Sequence, residues 1–371
     1  MAGRARARRT RRSCSHQVTK FTASEEDQTS RLSPSLPHLF SIISATTPRC
    51  FPSVFAALRR GLIVCIGMAA TEASGTPLAG NINVALGRND LPTATLLHPA
   101  SGASCEVILT GAHVTSWKTA DGVERLFVSS ASKFGDGAAI RGGIPVCWPQ
   151  FSGRGSLPKH GFVRTSSEWE IAEMVSDEGA TKLVLCIKDS EATRAVWPHA
   201  FELRYAITLT GEALSTAMEL TNTGAEPLTF ASALHTYFAV PDVTTVKVLG
   251  LGGLKYEDNT AGGSVAIEEA KEVAIAGEVD RVYLDAPEVV QLAMPGYAEL
   301  TLRKTAAFPD LVMWNLGKAK APTMADLGEG EWQHYLCLEA GAVSKPVSIE
   351  PGATWSAAQT FQITPQCTPI E

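Results

Sequence analysis

FELRYAITLTGEALSTAMELTNTG, residues 201–224, is the stretch that decides the fold. In its first half Phe201, Leu203, Tyr205, Ile207 and Leu209 alternate with Glu202, Arg204, Ala206 and Thr208. A period of two puts one side of an extended strand against a core and the other toward water. TGEA and TNTG then supply turn chemistry at hairpin spacing. The same reading extends outward, as runs rich in β-branched and aromatic residues broken by Gly, Asp or Pro. Upstream are TATLLHP (92–98), SCEVILTG (104–111), HVTSWKT (113–119), RLFVSS (125–130), SEWEIAEM (167–174) and TKLVLCIKD (181–189). Downstream are VVQLAMPG (289–296), YAELTLRKT (297–305), PVSIEPG (346–352) and TWSAAQTFQIT (354–364). No sustained helical periodicity and no glycine-rich phosphate loop interrupts the series. The economical architecture is all-β, two mainly antiparallel sheets packed face to face in one domain.

The chain of 371 residues is long enough for a core that needs no disulfide or metal staple. Its eight cysteines form no CxxC pair, and Cys147, Cys186 and Cys337 sit in apolar runs, which suits a reducing compartment and argues against structural zinc. Charge is uneven. Residues 1–67 hold 11 Lys+Arg against 3 Asp+Glu, and the remainder carries a net −14. An acidic body argues against nucleic acid as a partner, yet leaves room for a small phosphorylated ligand held by a few local cations. MAGRARARRTRR, with six Arg in twelve residues, opens a Ser-rich, acid-poor segment. That is transit-peptide composition, and a start at Met68 is the alternative. Residues 1–75 are read as an extension, disordered or a transit peptide, and 76–371 as the domain. The location expected is chloroplast or cytoplasm. LIVCIG (62–67) is too short to span a bilayer, so no membrane is expected, and a monomer is the default.

Three segments carry candidate chemistry. AAIRGGIPVCWPQFSGRGSLPKHGFVRTSSEWEI (138–171) is too rich in Gly and Pro for a regular strand but keeps Ile144, Val146, Trp148 and Phe151. Such a stretch packs against the body and is often functional. Its Arg141, Arg154, Lys159, His160 and Arg164 suit a phosphate or an array of sugar hydroxyls, or are simply solvated. TFASALHTYFAVPD (229–242) places His235 inside an apolar, aromatic strand. HYLCLEAGAV (334–343) places Glu339 at the end of another, where it is costly unless paired or functional. VDRVYLD (279–285) adds Asp280 and Arg281, and the loop 313–333 adds Asn315, Lys318 and Lys320, all weaker signals alone.

Taken together, RGGIPVCWPQF (141–151), KHGFVR (159–164), ALHTYF (233–238), VDRVY (279–283), MWNLGKAKAPTMADLG (313–328) and CLEAG (337–341) resemble, in order, the aldose 1-epimerase or galactose mutarotase-like superfamily. They resemble its glucose-6-phosphate 1-epimerase branch in particular. The resemblance covers roughly residues 80–364 and implies a β-supersandwich with no metal or organic cofactor. It also implies that His235 matches the catalytic acid and Glu339 the base, with Arg141, Lys159, Arg164 and Asp280 touching the ligand. His160 matches a second active-site histidine of the galactose branch and is carried over as a binding or orienting residue. CLEAG stands where the family often reads CIEPG, so the acid is retained.

The implied reaction opens the hemiacetal of a hexose 6-phosphate by proton transfer and recloses it as the other anomer. That chemistry places acid and base on opposite sides of the pyranose, and hence on different strands. The expected resting state has His235 protonated, aided by Asp280, and Glu339 ionised, with Arg141, Arg164 and Lys159 on the phosphate. The rivals are a mutarotase for unphosphorylated hexoses, a carbohydrate-binding sandwich without catalysis, and a glycoside hydrolase.

Overall fold

The structure is a computed structural model that describes residues 80–365, Asp136 apart. The extension called at 1–75 lies outside the described residues. The all-β expectation is met, but the described residues form three sheets where two were expected: one of four strands, one of eight and one of nine. Every strand pairing is antiparallel, and Trp148–Gly161 adds an isolated parallel bridge.

The opening hairpin forms as read. Phe201–Leu209 pairs with Ala213–Asn222 from Phe201↔Asn222 to Leu209↔Leu214, and all five apolar residues of its inner side are buried. They face the main core together with Leu336, Leu338 and Ala340 from the eight-stranded sheet. Phe238 and Phe361 meet edge to face at 4.9 Å in the same core. The core therefore lies between the inner faces of the two large sheets, as a sandwich requires.

Differences from the expectation have local causes. Residues 125–130 form isolated bridges, Leu126 to Phe238 and Val128 to Gly142, not a continuous strand. A short helix, Glu191–Val196, went unseen because it is too brief to show a period, although Ser190 and Thr193 form a capping box at its start. Strands such as Lys255–Asp258 and Ser264–Ile267 carry little apolar alternation and were missed. Among the described residues, no helix is long and apolar enough to cross a membrane.

Candidate active site

The site is built on the outer face of the eight-stranded sheet, away from the main core. Glu339 does not end its strand as expected. It sits inside the fifteen-residue Tyr335–Ile349 strand, which runs on through Gly341. Alternate residues of that strand, Leu336, Leu338 and Ala340, point to the main core. Glu339 therefore shares the other face with Tyr335, Cys337 and Val343. Register carries this face sideways: Glu339 lies beside Val312, Val312 beside Val282, and Trp314 beside Asp280. Two apolar sides explain why the sequence shows an unbroken apolar run instead of alternation.

His235 is not inside a strand. It occupies a two-residue break between Leu228–Leu234 and Tyr237–Ala239, where its amide donates to Pro145 O at 3.0 Å. The break frees the imidazole from the strand's pleat. The ring stacks on Tyr237 at 4.8 Å and 8°, and meets Trp314 and His160 edge-on at 5.7 and 5.4 Å. Its Nδ1 comes within 3.3 Å of Glu339 Oε1. That approach is close but not aligned as a hydrogen bond, and Nδ1 and the other carboxylate oxygen, Oε2, are both buried without a hydrogen-bond partner among the described residues. His235 is 7% exposed and Glu339 1%. Unpaired polar atoms at that depth are costly in a folded protein, which marks the place where a ligand's polar groups would fit.

Burial works against the charge state expected from sequence. It pushes the Glu339 carboxyl well above its ordinary range, with Asp280 adding repulsion that Lys159 partly offsets. It pushes His235 well below its ordinary range, reinforced by the cations Arg141 and Arg164. Both shifts favour the neutral pair, with the proton on Glu339, over the charged one. Asp280 does not hold His235 charged. It lies half-buried, accepts from Asn259 Nδ2 at 2.7 Å, and is itself raised by burial. Neutral Glu–His and charged Glu⁻–His⁺ hold the same single proton, so the difference is where the proton sits.

The glycine-rich segment 138–171 wraps this face. Its Val146–Cys147 strand pairs with Leu234 and Ala233. Gly143, at φ +63°, has no room for a side chain, since a Cβ would meet Val114 O at 2.1 Å. His113 Nε2 donates to Gly142 O at 2.8 Å. Arg141, thus positioned, donates to Asp326 in a bidentate pair at 3.0–3.2 Å and to the Tyr237 hydroxyl at 3.1 Å. Its charge is largely compensated by Asp326, so it is poorly placed to act as the free phosphate cation expected from sequence. Arg164 is half-buried and donates to Lys159 O at 3.1 Å. Neither Arg164 nor the exposed Lys159 pairs with a carboxylate among the described residues. Arg154 is taken by Glu257 at 2.6 Å.

Of the seven residues predicted from sequence, His235, Glu339, His160 and, through Tyr237, Arg141 are linked by direct contacts, while Lys159, Arg164 and Asp280 lie near enough to act on them electrostatically. Asn315 does not join them: its amide is spent on Trp332 O, Tyr335 O and Gly317 N. Lys320 pairs with Glu278. Asp326, Tyr237, Trp314 and Cys147 were missed. Asp326 lay in the quoted MADLG run, and its pairing with Arg141 across 185 residues leaves no sequence trace. His235, Cys337 and Glu339 also present donor atoms within 4.8 Å of one another, the donor types of a metal centre.

The resemblance implies this imidazole and this carboxyl as the reacting pair; it places them on opposite sides of the pyranose, whereas here they stand side by side, 3.3 Å apart. Over residues 92–362 the sequence matches the family model of aldose 1-epimerase. The chain belongs to the aldose 1-epimerase family. Among the family's relatives, a protein from Cenchrus ciliaris, described provisionally as a glucose-6-phosphate 1-epimerase, is 36% identical over 268 residues, 70% of this chain and 81% of its own. One from Escherichia coli, described the same way, is 30% identical over 301 residues, 77% of this chain and 96% of its own. The crystal structure of a provisionally assigned mutarotase from Salmonella typhimurium superposes with a TM-score of 0.71 at 27% identity, covering 79% of this chain and 97% of that one. The fold is thus galactose mutarotase-like, and the family's chemistry is isomerisation of sugars.

Proposed function

We propose that the chain interconverts the α and β anomers of a hexose 6-phosphate, with His235 and Glu339 exchanging one proton with the sugar. The observation that carries the reading is the 3.3 Å approach of two buried titratable groups that each leave a polar atom unsatisfied. Ring opening needs one proton removed from the anomeric hydroxyl and one delivered to the ring oxygen. With sugar bound, hydroxyl groups solvate the carboxylate and favour its ionised form. The shared proton then moves to His235, which donates to the ring oxygen while Glu339 accepts from the anomeric hydroxyl. The aldehyde carbon turns, reclosure reverses both transfers, and the pair returns with its single proton. No covalent intermediate is required.

Phosphate recognition is assigned to Arg164 and Lys159, which carry no carboxylate partner among the described residues, and the sugar hydroxyls to Arg141, Asp280 and His160. Trp314, half-buried and edge-on to His235, offers an apolar wall for the pyranose. The experiment is anomer-exchange NMR on glucose 6-phosphate with glucose as control. Faster exchange of the phosphorylated sugar is expected. Equal exchange would favour the mutarotase for free hexoses, and none would leave a binding protein.

A further inference from the structure

We propose that Cys147 and the Ser152 amide lock His160 into its Nε2–H tautomer, making it a neutral hydrogen-bond donor to an oxygen of the bound sugar and not a second proton-transfer group. The proposal rests on the sugar-binding reading above, but its tautomer half is measurable without any sugar.

The Ser152 backbone N–H donates to His160 Nδ1 at 3.3 Å, and Cys147 Sγ lies 3.3 Å from the same nitrogen. An amide N–H can only donate, so Nδ1 must present its lone pair. Cys147 is fully buried, and burial holds its thiol protonated, so the sulfur is a second donor. A neutral imidazole carries one N–H, which leaves it on Nε2. No group among the described residues accepts from that nitrogen.

The backbone is committed to this orientation. His160 adopts φ +65°, a left-handed conformation that side chains rarely take. Its own amide donates back to Ser152 O at 3.0 Å, so the loop closes on itself through reciprocal bonds. Phe151 and His235 pack edge-on against the ring at 5.3 and 5.4 Å. The groups facing it are Cys147, His235 and the cations Arg164, Lys159 and Arg141. With burial first, these cations push its ionisation down to about 3. His235 feels some of the same cations, but it has the Glu339 carboxyl beside it as a proton partner. Among the described residues His160 pairs with no carboxylate, and its Nδ1 is already used.

The test is 15N NMR of the full chain with labelled histidine, without sugar. His160 is expected to show an unprotonated Nδ1 and a protonated Nε2, unchanged from about pH 5 to 8. Cys147→Ala should weaken the preference, and Cys147→Ser should restore it. In the mutarotation assay His160→Gln, whose amide reaches the Nε2 position, should outperform His160→Asn, whose amide overlays Nδ1, by about tenfold in kcat/KM. A proton on Nδ1, titration within that pH range, or Asn outperforming Gln would overturn the proposal. A chain inactive on every sugar would sink the function reading instead, and the ring shifts would still decide the tautomer.

Discussion

Replacing Glu339 with Gln should make the protein more stable above mildly acidic pH while abolishing its chemistry. The carboxyl is 1% exposed and raised well above its ordinary 4.5 by burial. Above that pH the unfolded chain has lost the proton that the folded one keeps. Stability from this group therefore falls as pH rises, by about 1.4 kcal/mol per unit until the folded carboxyl ionises. His235 acts with the opposite sign. Its ionisation is lowered from 6.5 by burial and nearby cations, so stability falls as pH drops below 6.5. Between 4.5 and 6.5 the two slopes cancel, because folded and unfolded pair each hold one proton. Above 6.5 only the carboxyl slope remains. Glu339→Gln keeps the shape of the side chain and removes that slope. Its stability margin over the parent should grow from pH 4.5 upward at about 1.4 kcal/mol per unit. Urea unfolding of both proteins at pH 5, 6, 7 and 8 measures it, and the infrared carbonyl band of a protonated carboxyl, lost in the variant, locates the proton. Anomer-exchange NMR should show a loss of roughly 10²–10⁴-fold. A margin that does not change with pH would refute the protonated carboxyl. Full activity in the variant would remove Glu339 from the mechanism.

His235→Asn should lose mutarotation to a similar extent, and its stability should already decline between pH 4.5 and 6.5, where the parent is level, read by the same unfolding series. Arg164→Ala should raise KM for glucose 6-phosphate by about tenfold or more, the worth of a charge-assisted contact, with little change for glucose. Arg141→Ala should affect both sugars, and equal behaviour of the two variants would contradict the division of labour. Lys304 is buried, donates to Ala286 O and Phe308 O at 2.7 Å each, and burial lowers its ionisation to about 8. The unfolded chain keeps that proton longer, so stability should rise between about pH 8 and 10.5, and Lys304→Met should remove the rise, as denaturant midpoints would report. Gly161→Ala should destabilise or prevent folding, since its Cβ would lie 2.0 Å from Trp148 O at φ +73°, and thermal unfolding of any soluble product would show it.

Sequence by itself determined the β character, the long hairpin at 201–224 and the motif series that names the family. Strand period and turn chemistry are local properties, written in consecutive residues. It also determined which residue types had to carry the chemistry, because His235 and Glu339 stand out against the apolar runs that surround them. Only the tertiary structure decided the third sheet, the break that releases His235, and the placement of Glu339 inside a strand buried on both sides. It alone paired Arg141 with Asp326 and so moved the free positive charge to Arg164 and Lys159. Most of all it decided which way the His235 and Glu339 ionisations shift. Ionisation depends on desolvation and on charges brought near from distant parts of the chain, and neither exists until the sheets have packed.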